Sequence, residues 1–349
     1  MTFILNILLF CFILGILVSV HEFGHFIFAK RAGIYVYEFS IGMGPKIFGF
    51  KRKNDETAYS IRLLPIGGYV HIAGEDIEED KDIPADKKLN NKTFWQRFWV
   101  MVAGALNNFI LAIILLLIYG FIYGTLDTTP VITNLVEGYP AYEVLNSGDQ
   151  ILEINGKKTS TWDDVLFDLQ IINNNKDINI KVKDSNGTIK TVTVKPKAVE
   201  VDGTTYYKLG IASPTERHKG FVRTIKYTFI KFGSSIKTMF RTLGCLFTGK
   251  IGLNSLSGPV GIYNVVGEQS KYGLGNILNL IILLSINVGF INLIPFPAFD
   301  GGKVLFLLIE KIRRKPVSPK VENTIHSIGF VILMMLMLVI TVNDIFKIF

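Results

Sequence analysis

Residues 3–31 read FILNILLFCFILGILVSVHEFGHFIFAKR, and the fold turns on how this stretch is read. From Phe3 to Ala29 it is apolar except for the insertion His21 to His25. As an α-helix that run reaches about 40 Å at 1.5 Å per residue, more than the roughly 30 Å of hydrocarbon in a bilayer. It is expected to be a membrane span, closed by Lys30 and Arg31 with Gly33 as the helix stop. Ionisable groups inside a span are costly, so His21, Glu22 and His25 point to function. Met1 to Val20 carries no charge and shows neither a basic n-region nor a small-residue cleavage site, so the segment is expected to be retained.

The rest of the chain has the same character. Of its 349 residues 49% are hydrophobic, and the mean hydropathy is +0.37, high for a wholly water-soluble enzyme. Three more spans are expected, at about Phe98 to Tyr123, Gly275 to Ile294 and Ile328 to Ile345. The two cysteines, Cys11 and Cys245, provide no disulfide framework. The net charge of +8 comes from lysines and arginines beside apolar segments, where they meet anionic headgroups and set topology, so the partner is lipid and no nucleic acid is expected.

Lys30, Arg31, Lys92 and Arg97 flank the loop between the first two spans, and Lys311, Arg313, Arg314 and Lys315 flank that between the last two. The positive-inside rule puts both loops in the cytoplasm and the intervening region outside. Spans one and three then run in the same direction, and their C-terminal ends share a depth. Four segments follow: 1–127, the first half of a membrane core with β-hairpins at 34–73; 128–213, a folded insert; 214–274, an amphipathic interfacial helix and linker; and 275–349, the second half. Glu75 to Lys92 reads as a solvated loop. Asn186-Gly187, between Ile178 to Val182 and Thr191 to Val194, predicts the final hairpin of the insert. Phe221 to Phe247 is aromatic-rich but interrupted by Arg223, Lys226, Lys231, Lys237 and Arg241, so it is expected to lie on the membrane surface.

His21-Glu22-Phe23-Gly24-His25 is an H-E-x-x-H motif. On a helix, histidines at i and i+4 share one face and can bind one zinc ion, with Glu22 beside the metal. A catalytic zinc needs a third ligand and an open position. Asp300, in Asn292-Leu293-Ile294-Pro295-Phe296-Pro297-Ala298-Phe299-Asp300-Gly301-Gly302, is the candidate at the matching depth, where two prolines break the helix and two glycines free the backbone. Local sequence alone also allows Asp300 to be the cap of a helix starting near Gly302. His71, His218 and His326 have no ligand-like spacing and read as surface or interfacial histidines.

With these residues in view, the chain resembles the site-2 protease family of intramembrane zinc metalloproteases, in its bacterial RseP/RasP-like type with one PDZ domain. The resemblance rests on His21 to His25, Phe39 to Lys46, Gly67-Gly68-Tyr69-Val70, Gly104 to Asn108, Ser257-Gly258-Pro259-Val260-Gly261 and Asn292 to Gly302, in family order along nearly the whole chain. In the insert, Asp149 to Gly156 resembles the G-D-x-I-x-x-I-N-G strand and turn of a PDZ domain, with a peptide groove near Gly138 to Ala141. Two departures stand out. Ala105 follows Gly104 where relatives usually have proline, and Phe299 replaces a leucine.

The resemblance implies a polytopic α-helical membrane protein with four transmembrane helices, a membrane-associated β-hairpin region and an inserted α+β PDZ domain. It implies Zn2+ on His21, His25 and Asp300 with Glu22 as acid and base. Asn292, Asn108, Gly67, Gly68 and Tyr69 are the candidate substrate-binding residues. Expected partners are single-pass membrane-protein substrates, such as anti-sigma factors or signal-peptide remnants, and a peptide or substrate ectodomain at the PDZ domain. The expected location is the bacterial cell membrane, with the PDZ domain extracytoplasmic and the active site towards the cytoplasmic side. The competing readings are a non-proteolytic PDZ membrane scaffold and a metal transporter. Glu22 argues against both, and the chain shows no repeated halves.

Overall fold

The computed structural model describes residues 2–75, 80, 82–171, 176–201 and 204–347. The chain opens with α1 (Thr2–Arg31), the strands β1 (Val36–Lys51) and β2 (Ala58–Ile72), and α2 (Phe94–Tyr123). Next come β3 (Asn134–Leu135), α3 (Ala141–Val144), β4 (Gln150–Ile154), β5 (Lys157–Lys158) and α4 (Trp162–Gln170). They are followed by β6 (Ile178–Lys183), β7 (Ile189–Val194), β8 (Lys197–Val201), β9 (Thr204–Lys208) and β10 (Ile211–Ala212). Helices α5 (Phe221–Phe247), α6 (Pro259–Ser270), α7 (Leu274–Leu293), α8 (Asp300–Arg313) and α9 (Pro319–Phe346) complete it. The chain divides into two compact units, Met1–Leu115 with Leu253–Phe349, and Leu116–Gly252.

Among the described residues four helices, α1, α2, α7 and α9, are long and apolar enough to cross a membrane. All four coincide with expected spans, although α9 starts nine residues earlier than expected, with Pro319 in its first turn where a missing N–H costs nothing. Thr93 and Gln96 exchange hydrogen bonds at the start of α2, a reciprocal cap that sets where the span begins. Helices α1 and α2 touch backbone to backbone. A Cβ on Gly24 would stand 2.2 Å from the Ala103 carbonyl oxygen, so glycine is required there. Ser285 of α7 donates to the Asn108 carbonyl at 2.7 Å, tying a third helix to the pair. The Ser257 to Gly261 motif also finds its reason: the buried Asp344 carboxylate of α9 accepts from the Gly258 and Gly261 N–H groups at 2.7 and 2.8 Å, capping α6.

The expected short hairpins at 34–73 are two long kinked strands. Phe39 lies opposite both Val70 and Tyr59, and Phe50 also faces Tyr59, so the pair folds into a small sheet of four segments. Its apolar side chains are largely exposed, including Ile47, Phe48, Leu63 and Leu64, as suits a surface facing lipid or substrate. Glu38 anchors the interior with hydrogen bonds from Ser60, Tyr69 and Arg62. The stretch expected as a solvated loop, Glu75 to Lys92, lies partly outside the described residues. Where described, it contains Asp80, buried and accepting from the Tyr37 hydroxyl and the Gly74 N–H.

In the second unit, a four-stranded sheet of order β5-β4-β6-β7 packs with α3 and α4 around Ile132, Leu145, Ile151, Val165, Ile180 and Leu209. The Asn155-Gly156 turn has φ of 49° and 76°, the left-handed pair that a tight hairpin needs. The β6–β7 hairpin forms where Asn186-Gly187 predicts it, but it is not the last, because β8 pairs with β9 after it. The loop 136–141 lies against Leu209-Gly210, where Val136 N–H donates to Gly210 O and Ala141 N–H to Leu209 O. Helix α4 begins on a Thr161–Asp164 capping box.

Helix α5 belongs to this unit, and four of its five basic residues pair with carboxylates. Lys231 binds Asp163 at 2.6 Å, Lys237 binds Asp164 at 2.7 Å, and Arg241 bridges Asp164 and Asp168 while lying 4.3 Å over the Phe167 ring. Arg223 pairs with Asp127. The polar face of α5 is thus spent on α4 and its neighbours, and the exposed face carries Phe221, Phe229, Phe240 and Phe247.

Candidate metal centre

His21 and His25 lie one helical turn apart on α1, and Asp300 is the first residue of α8, just past the Pro295 to Phe299 turn that ends α7. Their ligand atoms converge. The Asp300 Oδ2 stands 3.0 Å from His21 Nε2 and 3.2 Å from His25 Nε2, and the two imidazole nitrogens are 3.2 Å apart. Asp300 Oδ2 is buried without a hydrogen bond of proper geometry, so it is an acceptor aimed at a space between two lone-pair donors. Phe299 is the N-cap of α8, with no side-chain cap bond, so the Asp300 carboxylate is not used as a cap.

The surroundings are cut to this group. A Cβ on Gly104 would lie 2.3 Å from His25 Nε2 and 2.7 Å from His21 Nε2, so the missing side chain is the room the imidazoles occupy. His25 Nδ1 donates to the Val100 carbonyl at 2.7 Å, which leaves Nε2 as the lone-pair nitrogen. Asn108 is wholly buried 3.4 Å from His21 Nδ1, and its Oδ1 has no partner. Turning that amide over places Oδ1 against the His21 Nδ1–H and satisfies both groups. Glu22 lines the same cavity as the histidines, and its Oε2 accepts from the Val70 N–H of β2 at 3.1 Å.

A cavity of about 170 Å³ is lined by His21, Glu22, His25, Val70, Val100, Asp300 and Lys303, among others. Two charged lining residues, Lys303 and Glu75, lie outside the motifs of the sequence. Lys303 follows Asp300 by three positions on α8, a spacing that puts both on one face and was legible. Its partner Glu75, 2.7 Å away, carries no such signal. The Glu75 carboxylate holds the Lys303 ammonium well above the usual lysine range, so the ammonium stays charged. A second cavity, of about 1070 Å³, shares Glu75, Leu89, Met101 and Lys303 with the first.

The other candidates divide. Gly68 lies against the Glu22 side chain, and Gly67 and Gly68 lead β2 into Val70. The Tyr69 side chain turns away to Glu38, and burial, then that carboxylate, pushes its phenol up to about 12. Asn292 gives one amide proton to Val288 O at 3.0 Å within its own helix, and neither it nor Asn108 lines the smaller cavity.

A model of peptidase family M50 matches residues 9–336. The chain belongs to that family. It is 34% identical to the regulator of sigma-W protease RasP of Bacillus subtilis, over 99% of this chain and 100% of that protein. It is 38% identical to a putative zinc metalloprotease of Fusobacterium nucleatum, over 100% of both. Among solved structures, the PDZ domain of the SdrC-like protein of Listeria innocua aligns with 27% of this chain and 100% of its own, at 22% identity and a TM-score of 0.22, too slight a likeness to add to the insert's own topology. As an M50 member the chain is a zinc metalloprotease, built on several membrane spans. Two imidazole nitrogens with one carboxylate oxygen are a donor set that suits zinc and leaves a fourth position open.

Proposed function

We propose that this M50 chain hydrolyses peptide bonds in or beside the transmembrane segments of single-pass membrane proteins, with zinc on His21, His25 and Asp300 and with Glu22 moving the proton. The observation that carries the reading is the convergence of those three ligand atoms next to a carboxylate held by a strand edge. When bound, zinc supplies Lewis acidity that acidifies water and polarises a carbonyl. Glu22 accepts the water's proton at its carboxylate and passes it to the leaving amine nitrogen. The Val70 N–H keeps that carboxylate aimed while it does so. The adjoining cavity admits water past the Glu75–Lys303 pair.

Peptide bonds in a helix are internally hydrogen-bonded, so the substrate has to be extended before it is cut. Gly67, Gly68 and Tyr69 run beside Glu22 and offer a backbone edge for that extended strand. The second Asn292 amide proton is assigned to substrate backbone, and Asn108 to holding His21. The B. subtilis relative's role as a regulator of sigma-W favours anti-sigma factors as substrates, with signal-peptide remnants as the other candidates. Lysine and arginine placement supports a PDZ domain outside the cell and a metal centre towards the cytoplasm. There the PDZ domain receives a peptide or substrate ectodomain.

Glu22→Gln tests the assignment in purified protein reconstituted with a single-pass substrate. The expected result is near-stoichiometric zinc and no cleavage, because the amide cannot take the proton. Substantial turnover by this variant would move the base elsewhere.

A further inference from the structure

The residue that sets up Asp300 lies on α9. Ala298, two positions before Asp300, has φ of 96°. That is a left-handed backbone which a residue with a Cβ adopts only when its surroundings force it, and such outliers gather at functional sites. Gly301 and Gly302 explain the neighbouring turn, since added Cβ atoms there would meet carbonyl oxygens of Leu293, Ile294 and Phe296 at 2.3–2.5 Å. They do not explain Ala298, which is not a glycine.

What holds Ala298 is on the facing helix. His326 Nδ1 accepts from the Ala298 N–H at 3.2 Å. An acceptor at Nδ1 leaves the ring proton on Nε2, which faces the Glu322 carboxylate at 4.0 Å. The Phe306 ring of α8 packs on the imidazole with centroids 5.4 Å apart and limits its rotation. One turn along α9, a Cβ on Gly329 would lie 2.3 Å from the Pro297 carbonyl oxygen, so α9 presents a notch for Pro297 beside the acceptor for Ala298.

We infer that His326 is a positioning residue for the metal centre: by accepting the Ala298 N–H it holds the strained turn that delivers Asp300 to His21 and His25. It acts through the backbone and touches no reacting atom. The inference rests on Asp300 being a zinc ligand. Without the acceptor, Ala298 relaxes to negative φ, and a carboxylate two residues on is carried away from two imidazoles that stay fixed on α1.

The test measures zinc affinity of the full-length protein in detergent by competition with a chromophoric chelator, alongside cleavage. His326→Leu keeps volume and removes the acceptor, and should weaken zinc roughly ten- to hundredfold, the usual effect of losing a group that orients a ligand. His326→Asn sets a side-chain oxygen near the place of Nδ1 and should recover most of that loss. The double variant His326→Leu with Ala298→Gly should also recover most of it, because glycine holds φ of 96° unaided. A side chain that merely packs the span would not be rescued by a glycine on the opposite loop. Should His326→Leu not fold, the double variant decides: recovered folding and zinc support the inference, and failure of both overturns it. Zinc affinity of His326→Leu within twofold of the parent, or no recovery in either rescue, also overturns it. Asp300→Ala separates the two readings. If it binds zinc normally the ligand assignment fails, and if it alone loses zinc only the role of His326 fails.

Discussion

The α4–α5 contact and the metal centre both gather ionisable side chains away from bulk water, and they end in opposite states. Between α4 and α5 each aspartate meets a cation: Asp163 with Lys231, Asp164 with Lys237 and Arg241, Asp168 with Arg241. Charge is neutralised within the chain, and the one buried oxygen left without a hydrogen bond, Asp168 Oδ2, belongs to a carboxylate already paired with Arg241. At the metal centre one carboxylate oxygen and two imidazole nitrogens face one another within 3.2 Å, and Asp300 Oδ2 has no hydrogen bond. A closed set of charges holds structure together, whereas an open set of donors asks for a cation.

Removing an open donor should have the largest effect. Asp300→Ala and His25→Ala should each drop zinc content from near one per chain to a small fraction, read by metal analysis of purified protein, with the spans still folded because each group's partners lie within the site. Retained zinc in His25→Ala would mean the donors do not work as a set. At the closed contact a comparable change should be milder. Replacing Lys231, Lys237 and Arg241 with alanine should widen the distance distribution between spin labels at Leu166 and Phe240, exposed positions on α4 and α5, and leave zinc untouched. The lysines are partly exposed, so loosening rather than unfolding is expected. An unchanged distribution would show that apolar packing, and not charge, holds α5.

The smallest effect is that of pH on the same contact. Burial pushes the Asp164 carboxyl up, but hydrogen bonds from Lys237 and from the Ser160 and Thr161 backbone outweigh it and hold the group below its ordinary value. A carboxylate depressed in the folded state stabilises above its unfolded pKa of about 3.9, and that contribution disappears as pH falls through the lower folded value. The label distance should therefore stay constant from pH 8 to about 5 and broaden only below about 4. Broadening between pH 6 and 7 would point to a histidine instead.

Much of this was legible in the residues. The spans declare themselves by length and apolarity, and His21 to His25 by the i, i+4 spacing of a helix. What sequence missed were partners that arrive from distant parts of the chain. The basic residues of α5 look the same whether they meet lipid headgroups or Asp163, Asp164 and Asp168, because a helical pattern records which face is charged and not what covers it. Glu75 reaches Lys303 across more than two hundred positions with no periodicity to announce it. His326 has the composition of an interfacial histidine until the Ala298 N–H is seen in front of it.

By itself the sequence determined the spans found among the described residues and supplied the histidines and carboxylates on which the proposed centre rests, since these follow from hydrophobic length and side-chain chemistry. Tertiary structure decided that Asp300 faces the histidines rather than capping α8, that Gly104 is the space their rings fill, and that Val70 aims Glu22. Those outcomes depend on the approach of α1, α2 and the α7–α8 turn to within hydrogen-bond distance, and helix packing in three dimensions sets such distances where local pattern does not.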